Sequence, residues 1–223
     1  MYVVTIDGPA GAGKSTVSRL LAGRLGWRLL DTGAMYRAVA YAAVSAGLDL
    51  NDVDALGSLA ERLSVELPPG RVMLNGEDVA GVIRSREVTR ATRFVADAVG
   101  VRRRMVELQR EFAAENHVVT EGRDQGTVVF PDAFCKFFVT ASPEERARRR
   151  HAELLACGDT ISYEAVLRDQ TERDASDASR AIAPMTPADD AETVDTTGQN
   201  LDEVLHRLED AVRERMGRVG VRT

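Results

Sequence analysis

The chain contains few of the residue types that build metal or disulfide sites. Its 223 residues include two cysteines, Cys135 and Cys157, and three histidines, His117, His151 and His206. Two cysteines in this arrangement provide neither a disulfide framework nor the paired spacing of a zinc site, so we interpret both as ordinary thiols. The histidines are isolated along the chain, which favours surface or hydrogen-bonded roles over metal binding.

Long hydrophobic runs and an excess of basic charge are also absent. A hydrophobic content of 44% without an extended apolar segment predicts a globular protein with no transmembrane helix. The first residues have the composition of a strand and not of an export signal, so we expect a cytoplasmic protein. A net charge of −6 provides no basic field, so we expect no nucleic-acid polymer and no membrane as a partner. We expect a monomer.

Lysine is the scarcest charged residue, because only Lys14 and Lys136 occur and nearly all positive charge is arginine. Lys14 belongs to a glycine-rich segment that follows the β-branched run Tyr2–Asp7 and matches the phosphate-binding loop pattern. This context predicts a strand, a loop and a helix, with a nucleoside triphosphate as ligand. The residues expected to bind ATP are Gly8, Pro9, Ala10, Gly11, Ala12, Gly13, Lys14, Ser15 and Thr16.

Two side chains of this loop have distinct expected roles. Lys14 reaches the β- and γ-phosphates from a loop that we expect to face solvent, and the Ser15 hydroxyl is the expected Mg²⁺ ligand.

Further strands are predicted at regular intervals, each followed by a helical pattern. They cover Arg28–Leu30, His117–Thr120, Ala133–Val139 and Glu192–Asp195. With the first strand they predict an α/β protein, a five-stranded parallel sheet core flanked by helices.

Polar residues follow two of these strands at the carboxyl end, where open parallel sheets bind ligands. Arg123 and Asp124 lie in the glycine-bracketed turn after His117–Thr120, which favours function over a simple turn. Asp31, Thr32 and Arg37 follow the second strand. Asp31 either orients Mg²⁺-bound water or caps the next helix, and Arg37 either binds ligand or is a solvated helical arginine.

The middle of the chain departs from this pattern of strands followed by helices. Residues 65–79 read as three short antiparallel strands with an Asn-Gly hairpin turn at Asn75 and Gly76. We therefore predict an inserted subdomain at 63–100, available to close over a second substrate, and a lid of two helices at 146–182. The segments 1–62, 101–145 and 183–223 then form the core, the first of them with the phosphate-binding loop.

Arginines are concentrated on the two predicted helices of the lid. Arg146, Arg149 and Arg150 share one helical side, as expected either for a phosphate clamp or for a solvated face. On the next helix, Arg173, Asp177 and Arg180 form one polar row, which is either a ladder of ion pairs or a substrate-facing surface.

With these pieces in place, the sequence resembles the bacterial cytidylate kinases from Val3 to Met216. The segments that carry the resemblance are Ile6–Ser15, Leu30–Arg37, Gly122–Ala133 and Glu172–Pro184. The resemblance implies a P-loop kinase fold with a small antiparallel hairpin insertion at 63–100 that binds the monophosphate, and a helical lid with an acceptor-facing helix at 146–182. It also implies transfer of the γ-phosphoryl group of ATP to CMP or dCMP with Mg²⁺, which gives ADP and CDP or dCDP.

The resemblance further implies a role for each candidate residue. Arg37, Arg123 and Arg180 would hold the CMP phosphate, Thr32, Arg102 and Asp124 would read cytosine, and Arg173 and Asp177 would face the ribose. Arg146, Arg149 and Arg150 would close on the ATP phosphates. The expected catalytic residues are Lys14, Arg123, Arg146 and Arg150.

Two other classes of function share the same loop. One is a kinase for another nucleotide or for a small hydroxyl compound, and the other is a nucleotide-binding module without transferase activity. A non-catalytic module needs neither three separate arginines for one anion nor an insertion beside them, so the kinase is favoured.

One position departs from the family pattern. Where relatives carry a small hydroxyl residue that touches the ribose, this chain has Arg93, which puts that contact and the register of Arg102 in question. Arg93 either points outward or reaches the CMP phosphate, and the spacing of Arg90, Arg93 and Asp97 favours the outward orientation.

Overall fold

The computed structural model describes residues 1–156, 158–180 and 182–218, so Cys157 lies outside the described residues. The chain divides into two compact units, Met1–Leu29 with His117–Thr223, and Leu30–Asn116. Within the described ranges, no helix combines the length and apolar character that a membrane span requires.

Along the chain, most strands are followed by one or two helices, and three short strands run in succession in the middle. The strands are β1 (Val3–Asp7), β2 (Arg28–Asp31), β3 (Val65–Glu66), β4 (Met73–Leu74), β5 (Glu77–Asp78), β6 (Val118–Glu121), β7 (Cys135–Thr140) and β8 (Glu192–Asp195). The helices are α1 (Lys14–Leu25), α2 (Thr32–Ser45), α3 (Val53–Arg62), α4 (Arg86–Asp97), α5 (Val99–Glu115), α6 (Pro143–Ala156), α7 (Tyr163–Ser179) and α8 (Leu201–Arg218). A single π-helical turn, Gln125–Val129, follows β6.

The larger sheet has the strand order β2-β6-β1-β7-β8, which confirms the predicted five-stranded parallel core. Strand β1 is central, with Val4 opposite both Val119 and Cys135. Its side chains are covered on both faces, as in other parallel sheets, and Ile6 and Phe137 lie in one buried cluster with residues of α1 and α8. Strand β6 runs one residue past its predicted end, because Glu121 continues the ladder opposite Ile6.

The second unit contains the three-stranded antiparallel sheet β3-β4-β5, as predicted, although each of its strands is only two residues long. Asn75 and Gly76 both have positive φ, 50° and 84°, which is the requirement of a type I′ hairpin.

The sequence after this sheet predicts helix from Glu87 to about Glu115, with a break near Gly100. The structure has two helices there, α4 and α5, separated at Ala98, whose ψ of 117° is extended. The break falls two residues before Gly100. Gly100 instead lies against Gly57 of α3, where a Cβ on Gly100 would come within 2.9 Å of the Gly57 Cα. The glycine is therefore required by helix packing and not by a break.

Candidate active site

The phosphate-binding loop connects the end of β1 to the start of α1 within the first unit. Gly8 has φ 138°, and a Cβ there would lie 2.0 Å from the carbonyl oxygen of Val139. Only glycine fits, because β7 passes directly beneath the loop. The helix begins after Gly13, whose φ of 89° is left-handed and which provides no side-chain cap. The first N–H groups of α1 are thus left for an anion, as expected of a phosphate site.

Lys14 is buried, with 5% of its surface exposed, so the expectation of a solvent-facing side chain was wrong. Its ammonium group folds back and donates a hydrogen bond of 2.6 Å to the carbonyl oxygen of Pro9. Burial and, after it, the positive charge of Arg123 lower the pKa of Lys14 to about 7, against the opposing effect of Glu121 and Asp7. The amino group lies in a dry site, where a positive charge acts strongly on a phosphate.

Ser15 donates a hydrogen bond of 2.6 Å from its hydroxyl to Glu121 Oε1. Glu121 ends β6 and is 7% exposed. A hydroxyl and a carboxylate are the hard oxygen ligands that Mg²⁺ prefers, and the ion usually takes only one or two protein ligands beside nucleotide phosphates. The described residues contain no larger cluster of histidine, cysteine or acidic groups that would hold a metal alone. The pair fits a nucleotide-bound Mg²⁺.

Asp7, the last residue of β1, joins the phosphate-binding loop to the turn after β6. Its carboxylate accepts hydrogen bonds from the backbone N–H of Gln125 at 2.9 Å and of Gly126 at 2.7 Å. Burial raises the pKa of Asp7 to about 6, although the two backbone N–H groups and Lys14 lower it. The turn that carries Arg123 and Asp124 is thereby attached to the central strand.

Asp177 of α7 binds two of the arginines expected at the CMP phosphate. Arg123 Nε donates to Asp177 Oδ2 at 2.9 Å, and Arg180 lies 2.7 Å from Asp177 Oδ1. Asp177 is 4% exposed, so both carboxylate oxygens are used in a buried setting. In the polar row on α7, Asp177 therefore forms ion pairs that hold the guanidinium groups of Arg123 and Arg180 together.

The lid arginines have different partners. Arg146 NH1 donates to the carbonyl oxygen of Ala10 in the phosphate-binding loop at 3.0 Å and to Asp174 of α7. Arg149 donates to the carbonyl oxygen of Thr196 at 2.7 Å, and its NH1 lies 3.9 Å from where a Cβ on Gly13 would be. These two arginines are therefore at the loop.

Arg150 differs from its neighbours, because it points to the outer face of α6 and pairs with Glu153 at 2.9 Å. The structure therefore brings Arg146 and Arg149, but not Arg150, to the phosphate-binding loop.

Of the remaining predicted residues, Asp124 and Arg173 belong to the first unit and the others to the second. Thr32 is the first residue of α2 and is buried. Arg37 NH1 donates to Thr89 Oγ1 at 2.7 Å, and Arg102 is 7% exposed in the first turn of α5. Asp31 caps α2 by accepting from the Ala34 N–H at 2.9 Å, so the capping interpretation of Asp31 has a direct contact.

Arg93 is exposed, and its guanidinium lies over the ring of Phe94 at 4.7 Å from the centroid. The cation–π contact stabilises this outward orientation of the Arg93 side chain.

Sequence reasoning does not single out Asp7, Glu121 or Asp174. For Asp7 and Glu121 a signal exists, since each ends a strand at the carboxyl edge of the sheet, where the same rule selected Arg123. Asp174 has no such signal. Its role depends on Arg146, which lies 28 residues earlier in the chain.

A phosphate-binding loop between the central strand of a parallel sheet and a helix defines a P-loop kinase fold. A solved structure of an uncharacterized protein from Eubacterium ventriosum has a similar fold, with a TM-score of 0.55 over 96% of this chain and 99% of that chain at 11% identity.

Comparison of the sequence identifies the family. A model described as cytidylate kinase matches residues 4–214. A cytidylate kinase of Pelotomaculum thermopropionicum is 51% identical over 210 residues, which are 92% of this chain and 93% of that protein. One of Stutzerimonas stutzeri is 46% identical over 219 residues, 96% of each chain. The chain belongs to the cytidylate kinase family.

Proposed function

We propose that this protein transfers the γ-phosphoryl group of ATP to CMP or dCMP and releases ADP with CDP or dCDP. The observation that carries the proposal is the pair Arg123 and Arg180 held on the buried carboxylate of Asp177. Two guanidinium groups fixed together are suited to a phosphate dianion. A coupled assay of ADP release with CMP, dCMP, UMP, AMP and no acceptor tests the proposal. Turnover that requires CMP or dCMP supports it, and ADP release independent of acceptor contradicts it.

On the ATP side, the loop Gly8–Thr16 would surround the phosphates with backbone N–H groups, and Arg149 would add a positive charge. Ser15 is the proposed Mg²⁺ ligand, supported by its hydrogen bond to Glu121. When bound, Mg²⁺ would neutralise charge on the β- and γ-phosphates. Lys14 would move from the Pro9 carbonyl oxygen to the phosphates, because a dianion is a stronger acceptor than a neutral carbonyl.

On the acceptor side, the resemblance supports a role for each remaining candidate. We propose that Arg37, Arg123 and Arg180 bind the CMP phosphate, and that Thr32, Arg102 and Asp124 read cytosine. Arg173 and Asp177 remain the proposed ribose contacts, and Asp177 also orients Arg123 and Arg180.

Phosphoryl transfer depends on positioning and charge stabilisation more than on a strong general base. Lys14, Arg123 and Arg146 are proposed to stabilise the charge that spreads over the moving group, with Arg150 as a further lid residue. The hydrogen bond from Arg146 to the carbonyl oxygen of Ala10 in the loop supports this role. The cytoplasmic location and the monomeric state remain predictions.

Asp124→Asn is expected to relax base choice more than it weakens phosphate binding. A carboxylate accepts from the amino group of cytosine but repels uracil O4, whereas an amide also donates. The preference for CMP over UMP in kcat/KM should fall by about 1–3 kcal/mol, the range of one polar base contact. An unchanged ratio would remove Asp124 from base reading.

Arg93→Ser is expected to raise the ratio of kcat/KM for CMP over dCMP. Because Arg93 stacks outward on Phe94, a serine would restore the small hydroxyl that the family pattern has beside the ribose. The gain should approach one neutral hydrogen bond, about 0.5–1.5 kcal/mol or roughly two- to twelvefold. Arg90→Ser, on the same helix, serves as the control. A uniform loss for both nucleotides would show instead that Arg93 serves the phosphate.

A further inference from the structure

The turn that carries Arg123 and Asp124 leads directly into a π-helical turn, Gln125–Val129, which is closed by bonds from Val129 to Asp124 and from Phe130 to Gln125. Turns of this kind are rare and occur mostly at functional sites. The N-terminal N–H groups of such a turn need partners outside it.

Those partners are the two oxygens of Asp7. Oδ1 accepts from Gln125 and Oδ2 from Gly126, and the residues are 118 and 119 positions apart in the chain. The carboxylate is 5% exposed, so no solvent competes for the two bonds. A charged acceptor on two neutral donors makes hydrogen bonds that are stronger than ordinary ones.

The surrounding packing brings the turn unusually close to β1. A Cβ on Gly126 would lie 2.9 Å from Thr5 Oγ1, 3.2 Å from Lys136 Cδ and 3.4 Å from Asp7 Oδ2. Gln125 is also held, since its side-chain oxygen accepts from the Thr120 hydroxyl at 2.8 Å. The turn thus rests on β1 with little freedom, and Asp7 supplies the acceptors for its first two backbone N–H groups.

We infer that Asp7 is a positioning residue for CMP, whose carboxylate sets the place of Arg123 and Asp124 through the backbone of Gln125 and Gly126. The inference rests on the proposed roles of Arg123 and Asp124. It assigns to the residue before the phosphate-binding loop a function on the acceptor, although its place in the sequence points to ATP.

Asp7→Asn tests the inference, because the isosteric amide keeps one acceptor oxygen and turns an NH₂ group toward a backbone N–H. Hydrogen exchange of the Gln125 and Gly126 amides should become about tenfold faster or more, as expected when a bond to a charged group is lost. The value of kcat/KM for CMP should fall about ten- to a hundredfold, while KM for ATP changes by less than about twofold. Asp52→Asn is the matched control, since Asp52 also accepts from a backbone N–H, that of Ala55, on the exposed end of α3.

A second pair of variants reaches the same turn without changing charge. Gly126→Ala pushes the turn away from β1, and it should reproduce the loss in kcat/KM for CMP. Adding Thr5→Ala removes the atom 2.9 Å from the new Cβ and should restore part of the loss. If Asp7→Asn does not fold, this pair tests whether the position of the turn on β1 controls the use of CMP.

The possible results separate the inference from the proposed function. Unchanged exchange at Gln125 and Gly126, or a loss that falls on KM for ATP through Lys14, would overturn the role of Asp7. If Asp124→Asn leaves base choice unaltered, the proposed role of Asp124 fails. In that case the fall in kcat/KM for CMP in Asp7→Asn still tests the role of Asp7, because Arg123 is positioned through the same turn.

Discussion

Replacing Lys14 by methionine should reduce kcat by roughly a thousandfold or more, about 4 kcal/mol of barrier, with the fold retained. The reason is the setting of the charge. Lys14 is 5% exposed, and its ammonium group donates a hydrogen bond to the carbonyl oxygen of Pro9. A cation in such a dry site interacts with a phosphate far more strongly than an exposed one. Methionine has a similar length and volume, so the loop keeps its packing.

The control for this variant is Lys136→Met, which removes the other lysine. Lys136 binds Asp190 at 2.7 Å, and Asp190 has a half-exposed side chain that water can solvate once the lysine is gone. This variant should keep the turnover of the unmodified protein. Steady-state ADP release and circular dichroism of both variants make the comparison. Turnover retained in folded Lys14→Met would contradict the proposed kinase mechanism.

Asp177→Asn should lower kcat/KM for the acceptor by about ten- to a hundredfold. Two guanidinium groups bind one buried carboxylate, and hydrogen bonds to charged groups contribute about 1.5–3 kcal/mol each. An amide retains an acceptor for one arginine and turns a donor toward the other. Arg123 or Arg180 then leaves its position, and the CMP phosphate loses part of its site.

The choice of acceptor shows how Asp177 acts. If it holds the arginines, CMP and dCMP lose equally, since both carry the same phosphate. If it also reads the ribose 2′-hydroxyl, CMP loses more than dCMP. A loss for CMP alone would show that the two ion pairs of Asp177 have no bearing on catalysis. Asp169→Asn makes the same chemical change on an exposed part of α7, and it should leave both values unchanged.

Contiguous motifs could be predicted well from the sequence. The five strands and the phosphate-binding loop follow from local patterns, because alternating or continuous apolar runs and glycine positions act within a few residues. The loop pattern predicts glycine at position 8, and the structure gives the reason, because a Cβ there would collide with the Val139 carbonyl oxygen.

Contacts between distant segments could not be predicted in this way. Arg123 and Asp177 are 54 residues apart, and Arg146 meets Ala10 across 136 residues. The pattern on α6 placed Arg149 and Arg150 on one side, yet only Arg149 contacts the turn after β8, while Arg150 pairs along its own helix. Helical periodicity identifies a shared face but not what packs against it.

The burial of charged groups was decided by the tertiary structure alone. The sequence by itself determined a phosphate-binding loop between a strand and a helix, because all the residues of this motif are consecutive. Whether Lys14 faces water, and whether Asp7 acts on the loop beside it or on a turn 118 residues away, depended on which segments the fold brings together. Solvent exclusion and long-range hydrogen bonds are properties of the packed chain, and no local pattern encodes them.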